Sequence, residues 1–177
     1  MKLLVVEGNN SETRLERGAF GIKPYHQIFT EMIKELVPNA SIDVAFPTGD
    51  ESKLSSVTAL KKYQGVLWTG SSLSVLDAIP SVTQQLNFAE TVFKSGVPFY
   101  GSCWGLQVAT VVAGGKVAKG DSGLELNVSK PIQLTKEGKE SSFFNDRIQG
   151  YQAFCIHYDE VSEIPENAKI LAYNEHS

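Results

Sequence analysis

Cysteine and histidine are scarce in this 177-residue chain, which has two of the first and three of the second. Cys103 and Cys155 are too few for a disulfide framework, and they lack the paired spacing of a zinc site. No metal is expected, and a reducing, cytoplasmic setting is the simplest reading. Charge is thin as well. Sixteen basic against twenty acidic residues leave a net −4. The basic residues form no stripe, and Lys61-Lys62 is the nearest thing to one. Such a surface gives no reason to expect nucleic acid or an anionic membrane as partner.

Long apolar runs are missing too. Residues 96–115, GVPFYGSCWGLQVATVVAGG, carry no charge. Pro98, several glycines and interior polar side chains exclude a lipid-spanning helix there. The opening run Leu3 to Val6 is cut by Glu7, too soon for a secretory leader, and reads as a strand. There is no internal repeat, low-complexity tract or linker. A length of 177 residues with 42% apolar content fits one domain, 1–177, with a sizeable core.

The elements alternate. Lys2–Val6 is a strand, followed by the turn cluster Glu7-Gly8-Asn9-Asn10 and a polar loop to Gly21. Apolar residues at helical spacing (Ile28, Phe29, Met32, Ile33, Leu36) mark a helix within 22–37. Ser41–Phe46 is a second strand, closed by a turn at Pro47-Thr48-Gly49-Asp50, and Leu54–Tyr63 is a short helix. Gly65–Thr69 is a third strand. Ser81–Lys94 is a helix with Ser81 as N-cap. Val97–Gly101 is a fourth strand, buried on both faces, and Gly105–Val112 is its helix. This order predicts an α/β fold, a three-layer, mostly parallel sheet flanked by helices. After Gly115 the strand-like pieces are short: 116–119, 124–128, 132–135, 151–156 and 169–173. They predict short antiparallel additions to the main sheet in the C-terminal third. Ligands of such folds gather outside the carboxyl ends of the strands. Thr69-Gly70-Ser71 and Ser102-Cys103-Trp104 both fall there.

In Gly101-Ser102-Cys103-Trp104-Gly105 a strand runs directly into a helix. A residue at the tip of that turn takes a strained conformation, and the positions two before and two after must be glycine-sized. Cys103 would project at the helix N-terminus, where the dipole favours a thiolate. The Trp104 N–H would face a developing oxyanion, with Gly70 as the second donor. The alternative is that Cys103 simply packs in a core. Cys155, inside an apolar strand, has the packing reading. Trp68 reads as core, whereas the turn places the Trp104 side chain near the site entrance. Arg14 and Arg17 read as part of a solvated loop that could touch a substrate.

Gly101-Ser102-Cys103-Trp104-Gly105-Leu106-Gln107 resembles the G-x-C-x-G-x-Q elbow of class I glutamine amidotransferase domains. Trp68 to Ser74 resembles that family's oxyanion loop, and Gly123 to Leu126 its segment over the glutamine pocket. His157-Tyr158-Asp159-Glu160-Val161, with Ile164-Pro165 and Leu171-Ala172, resembles its H-x-D-x-V…L-P…L-A run. The similarity covers nearly the whole chain and is strongest to the stand-alone, GMP-synthase-like branch. It implies a flavodoxin-like fold in which Cys103 attacks a γ-carboxamide, giving a γ-glutamyl thioester and ammonia. It implies Gly70 and Trp104 as the oxyanion hole, and Ser71, Gln107, Tyr158 and Asp159 as substrate-binding residues. The substrate would be glutamine or a γ-glutamyl compound, the partner a separate ammonia-accepting synthetase or a further copy of the chain, and no cofactor is implied.

The resemblance breaks at the base. The family takes its histidine and glutamate from a later H-P-E motif, and no H-P-E occurs among these 177 residues. His26 reads as a helix-face residue and His176 as a terminal one. His157 is the candidate base or pocket residue, with Asp159 or Glu160 to orient it. The expectation is a C-terminally incomplete domain whose activity as it stands is impaired. A γ-glutamyl peptidase and a catalytically dead binding module are the alternatives.

Overall fold

The computed structural model describes residues 1–48, 56–145 and 150–176. The chain forms two compact units, Met1–Val112 and Ala113–Ser177.

In the first unit, Lys2–Val6 (β1), Ser41–Ala45 (β2), Gly65–Trp68 (β3) and Phe99–Gly101 (β4) form a four-stranded sheet in the order β2-β1-β3-β4. Every pairing is parallel. Strand side chains alternate between faces, and β1 shows it. Leu4 and Val6 join Val66, Trp68, Phe88, Val92, Trp104 and Val108 on one side. Leu3 and Val5 meet Ile33 on the other. Ile33 comes from Tyr25–Leu36 (α2), Phe88 and Val92 from Pro80–Ser95 (α4), and Val108 from Trp104–Val112 (α5). Helices therefore cover both faces, as the alternation predicted. Among the described residues no helix is long and apolar enough to cross a membrane.

Several expected boundaries move, each for a physical reason. The polar segment after β1 is a helix, Ser11–Ala19 (α1), rather than a loop. Asn10 caps it, its Oδ1 accepting from the Thr13 N–H at 2.9 Å. None of its residues is buried, so it offers no apolar stripe to read. α4 begins at Pro80, with Ile79 rather than Ser81 at the N-cap position. Proline's fixed φ suits a first turn, where a missing N–H costs nothing. α4 ends at Gly96, whose φ of 71° is the left-handed C-cap. β4 is not buried on both faces: Tyr100 is 45% exposed on the edge strand of the described sheet. The short helix before β3 spans Val57–Leu60 (α3). The turn expected at Gly49-Asp50 and the expected helix start at Leu54 lie outside the described residues.

The second unit contains antiparallel two-stranded ladders. Lys116–Lys119 (β5) pairs with Asp159–Glu163 (β9), Glu125–Val128 (β6) with Phe154–His157 (β8), and Gln133–Leu134 (β7) with Ala172–Tyr173 (β10). The antiparallel character matches expectation. Among the described residues, however, these strands form their own ladders and do not extend the parallel sheet. Strand β9 and the short helix Lys136–Glu140 (α6) had no periodic signature. Thr135 caps α6, accepting from the Gly138 N–H at 3.0 Å. Cys155 is only half-buried, not core.

Candidate active site

The turn between β4 and α5 holds Cys103 at φ 50°, a left-handed conformation that non-glycine residues rarely adopt. Cys103 is an exposed residue and in no disulfide. The flanking glycines are sterically required. A Cβ on Gly101 would stand 2.5 Å from the Gly105 carbonyl oxygen, and one on Gly105 would stand 2.7 Å from the Trp68 carbonyl oxygen. Both are closer than real Cβ contacts allow. The Ser102 N–H donates to the Trp68 carbonyl at 3.0 Å, tying the turn to β3. The Gly105 N–H donates to the Ser102 carbonyl at 3.0 Å, and the N–H groups of Leu106 and Gln107 donate to the Cys103 carbonyl at 2.9 and 3.1 Å, so the cysteine is built into the first turn of α5.

The loop after β3 lies beside this turn. A Cβ built on Gly70 would be 3.9 Å from the Cys103 Cβ and also 3.9 Å from Tyr25 Cε2. The fold therefore brings together the two strand ends that the sequence singled out. Ser71 belongs to the same loop, its hydroxyl donating to Asn9 Oδ1 at 3.1 Å and accepting from the Leu73 N–H at 3.1 Å. Gln107 is buried on α5. The Trp104 side chain departs from expectation. It is 1% exposed rather than at the entrance, because the first residue of α5 packs back toward the sheet. A Cβ on Gly8 would lie 2.8 Å from Trp104 Cδ1 and 2.6 Å from the Gly70 carbonyl oxygen.

A buried polar scaffold supports these loops, and the sequence reading missed most of it. Gln85 Oε1 accepts from the indole N–H groups of Trp68 (3.2 Å) and Trp104 (2.8 Å), while its Nε2 donates to the Gly8 carbonyl at 2.6 Å. Asn9 is fully buried, and its Oδ1 also accepts from the Ser72 N–H at 3.0 Å. Asn9 Nδ2 is buried with no hydrogen-bond partner. Glu7 is fully buried. Its Oε1 accepts from the Asn9 N–H at 3.1 Å, and its Oε2 accepts from the His26 N–H at 2.8 Å and lies 2.7 Å from His26 Nδ1. His26 is thus a carboxylate-bound residue, not an idle helix face. The available signal was a charged residue ending an apolar strand, since an unpaired buried carboxylate is untenable.

The remaining expected residues lie in the second unit. β6 and β8 pair Glu125 directly opposite His157, and His157 Nε2 lies 2.9 Å from Glu125 Oε2. The carboxylate beside His157 is therefore Glu125, not Asp159 or Glu160, because the ladder register sets it across the strand pair. Glu125 Oε1 also accepts from the Lys130 N–H and from Asn174 Nδ2, both at 3.1 Å. Burial pushes the Glu125 carboxyl up, but the Lys130 N–H and the His157 and His176 rings outweigh it and hold it below the usual range. The Cys155 thiol is pushed up, first by burial and then by Glu125. His176 is held at the chain end, its Nε2 3.1 Å from the Gly123 carbonyl and its ring edge-on to His157 at 5.8 Å. Asp159 is buried and Tyr158 is 61% exposed. Among the described residues no group of His, Cys, Asp and Glu has a metal-binding arrangement.

A parallel sheet covered by helices on both faces, with Cys103 and Gly70 at its carboxyl strand ends, is an α/β arrangement of the class in which ligands gather at those ends. The class-I glutamine amidotransferase family profile matches residues 24–177, and the chain belongs to that family. It is 33% identical over 178 residues to a γ-glutamyl-L-1-hydroxyisopropylamide hydrolase of a Pseudomonas species, covering 98% of this chain and 59% of that protein. It is 27% identical to γ-glutamyl peptidase 4 of Arabidopsis thaliana, covering 85% of this chain and 59% of that one. It is also 29% identical over 125 residues to the glutamine-hydrolysing GMP synthase of Wolinella succinogenes, covering 71% of this chain and 23% of that enzyme. Among solved structures, a glutamine amidotransferase of Thermotoga maritima superposes with a TM-score of 0.71 at 19% identity, over 99% of this chain and 68% of that one. That likeness establishes the fold. The chain spans about three fifths of the length of the γ-glutamyl hydrolase and peptidase relatives it matches.

Proposed function

We propose that this chain carries the nucleophile of a cysteine hydrolase acting on γ-glutamyl amides, with glutamine's own carboxamide as the simplest substrate. The observation that carries the reading is Cys103 at φ 50°, exposed, on a turn with glycine on both sides and Gly70 alongside. Its thiolate attacks the γ-carbonyl carbon, and the oxyanion is held by the Gly70 and Trp104 N–H groups. The C–N bond then breaks, the departing nitrogen takes a proton, and a γ-glutamyl thioester remains. Water cleaves the thioester to glutamate and restores the thiol. Ser71 and Gln107, in the first unit, would line the amide end; the resemblance assigns Tyr158 and Asp159, in the second, to the amino-acid end and leaves His157, paired with Glu125, as the base candidate. The ammonia acceptor would be a separate synthetase.

A second reading differs only in the departing amine, which would be larger than ammonia, as in a γ-glutamyl peptidase. It is favoured by the 33% identity to a γ-glutamyl amide hydrolase. One experiment tests what both readings share. The chain is treated with a glutamine-mimicking chloroketone and the adduct is mapped by mass spectrometry. Labelling at Cys103, suppressed by glutamate, is expected. Labelling spread over both cysteines, or none at Cys103, makes the chain a binding module with a relic thiol.

A further inference from the structure

The segment joining β1 to α2 carries two arginines that the chemistry above does not use. Arg14 and Arg17 are three residues apart on α1 and so share a face. Each guanidinium lies over an aromatic ring. Arg14 Cζ is 4.6 Å from the Phe46 centroid, and Arg17 Cζ is 4.6 Å from the Tyr25 centroid. Arg14 is further fixed by donating Nη1 to the Asn9 carbonyl at 2.8 Å. Among the described residues neither arginine has a carboxylate partner. Arg17 Nε is buried and has no hydrogen-bond acceptor.

The location gives this stack its meaning. The Tyr25 ring under Arg17 is the ring whose Cε2 flanks Gly70, on the point that also lies 3.9 Å from the Cys103 Cβ. A stacked guanidinium with an unfilled donor therefore stands one aromatic ring away from the candidate oxyanion loop. Guanidinium forks match carboxylates in a planar, two-bond geometry, and stacking pre-orients that plane. A buried donor without an acceptor is costly unless something fills it.

We infer that Arg17, stacked on Tyr25 and assisted by Arg14, forms a leaving-group subsite that takes the carboxylate of an amino acid or short peptide joined to the γ-glutamyl group. The inference rests on the second reading above. It sharpens that reading from γ-glutamyl amides in general to γ-glutamyl amino acids and peptides. Of two γ-glutamyl ligands that differ only in a leaving-group carboxylate, the acid would be preferred. A purely structural stack, pinning α1 to its neighbours, would affect stability without discriminating between ligands.

The test is calorimetric binding to the full chain carrying Cys103→Ala, so that no ligand is consumed. γ-Glutamylglycine is compared with γ-glutamylglycinamide, which differs only in the leaving-group carboxylate. The expected result is roughly tenfold tighter binding of the acid, the worth of one charge-assisted hydrogen bond. Arg17→Gln should erase that ratio, and Arg17→Lys should keep part of it. Equal affinities for acid and amide overturn the inference, as does a ratio that survives Arg17→Gln. If Arg17→Gln weakens both ligands equally, Arg17 serves the glutamyl end and the leaving-group assignment is wrong. Failure to bind either dipeptide, with the Cys103 chloroketone adduct still forming on the unsubstituted chain, overturns the subsite alone. Failure of that adduct counts against the hydrolase reading itself.

Discussion

Two histidine–carboxylate pairs, one in each compact unit, are built from the same parts on different foundations. Glu7 and His26 meet at the carboxyl end of β1, a strand paired on both sides in a parallel sheet with helices on both faces. Glu125 and His157 meet across β6 and β8, a ladder of two strands. In both, a buried carboxylate contacts a ring that is about one-fifth exposed. The first carboxylate also organises backbone, accepting from the Asn9 and His26 N–H groups. The second accepts one backbone N–H, that of Lys130, and collects side chains from distant sequence, His157 and Asn174. A central parallel strand holds its end rigidly, whereas an isolated two-stranded ladder is marginal on its own. Damage to the Glu7 pair should therefore spread through the loops beside Cys103, and damage to the Glu125 pair should stay local.

The largest expected contrast is between the two thiols. Cys103 is exposed on a strained turn, and Cys155 is held protonated by burial and Glu125. With a neutral alkylating agent at pH 7.5, modification at Cys103 should outpace that at Cys155 by roughly 100-fold. Cys103→Ala should abolish the fast phase, and Cys155→Ala should leave it intact. Equal rates would erase the distinction. Next is Glu7→Ala, which leaves buried donors unpaired and should cost about 3 kcal/mol in urea unfolding. A loss under about 1 kcal/mol would show that the β1 end is less integrated than its bonds imply.

Glu125→Gln should cost less, about 1 kcal/mol at neutral pH, and its effect depends on pH. The folded carboxyl sits below its ordinary value of about 4.5, so on acidification the unfolded chain takes up the proton first. The stability from this group is complete above that value and drains away as pH falls through the folded value. Wild type and variant should therefore converge only once the pH has fallen past the lowered folded value. The smallest effect belongs to Lys116→Ala, which removes an exposed cross-strand pair with Glu163. It should change stability by less than about 0.5 kcal/mol, reading out the bare β5–β9 ladder.

What the sequence made legible follows the same division. The parallel unit was readable because its strands are apolar runs of the right length and its nucleophile turn needs glycine at two fixed offsets. Gly101 and Gly105 have no room for a side chain, and their spacing said so. α1 was hidden because Ser11–Ala19 is polar along its length and buries no residue. Glu7, Asn9 and Gln85 were hidden because long-range polar bonds leave no local pattern, and the Trp104 side chain was misplaced because its anchor, Gln85, is on another helix. Glu125 fell within the segment likened to the one over the glutamine pocket, but its pairing with His157 could not be read, since that depends on the register of strands some 30 residues apart.

The chain's two tryptophans donate to one amide oxygen on α4, and the second of them directly follows the thiol. An adduct that disturbs the β4–α5 corner should shift the shared polarity around both indoles. Intrinsic emission then becomes a label-free optical gauge of occupancy, and Gln85→Leu should silence it.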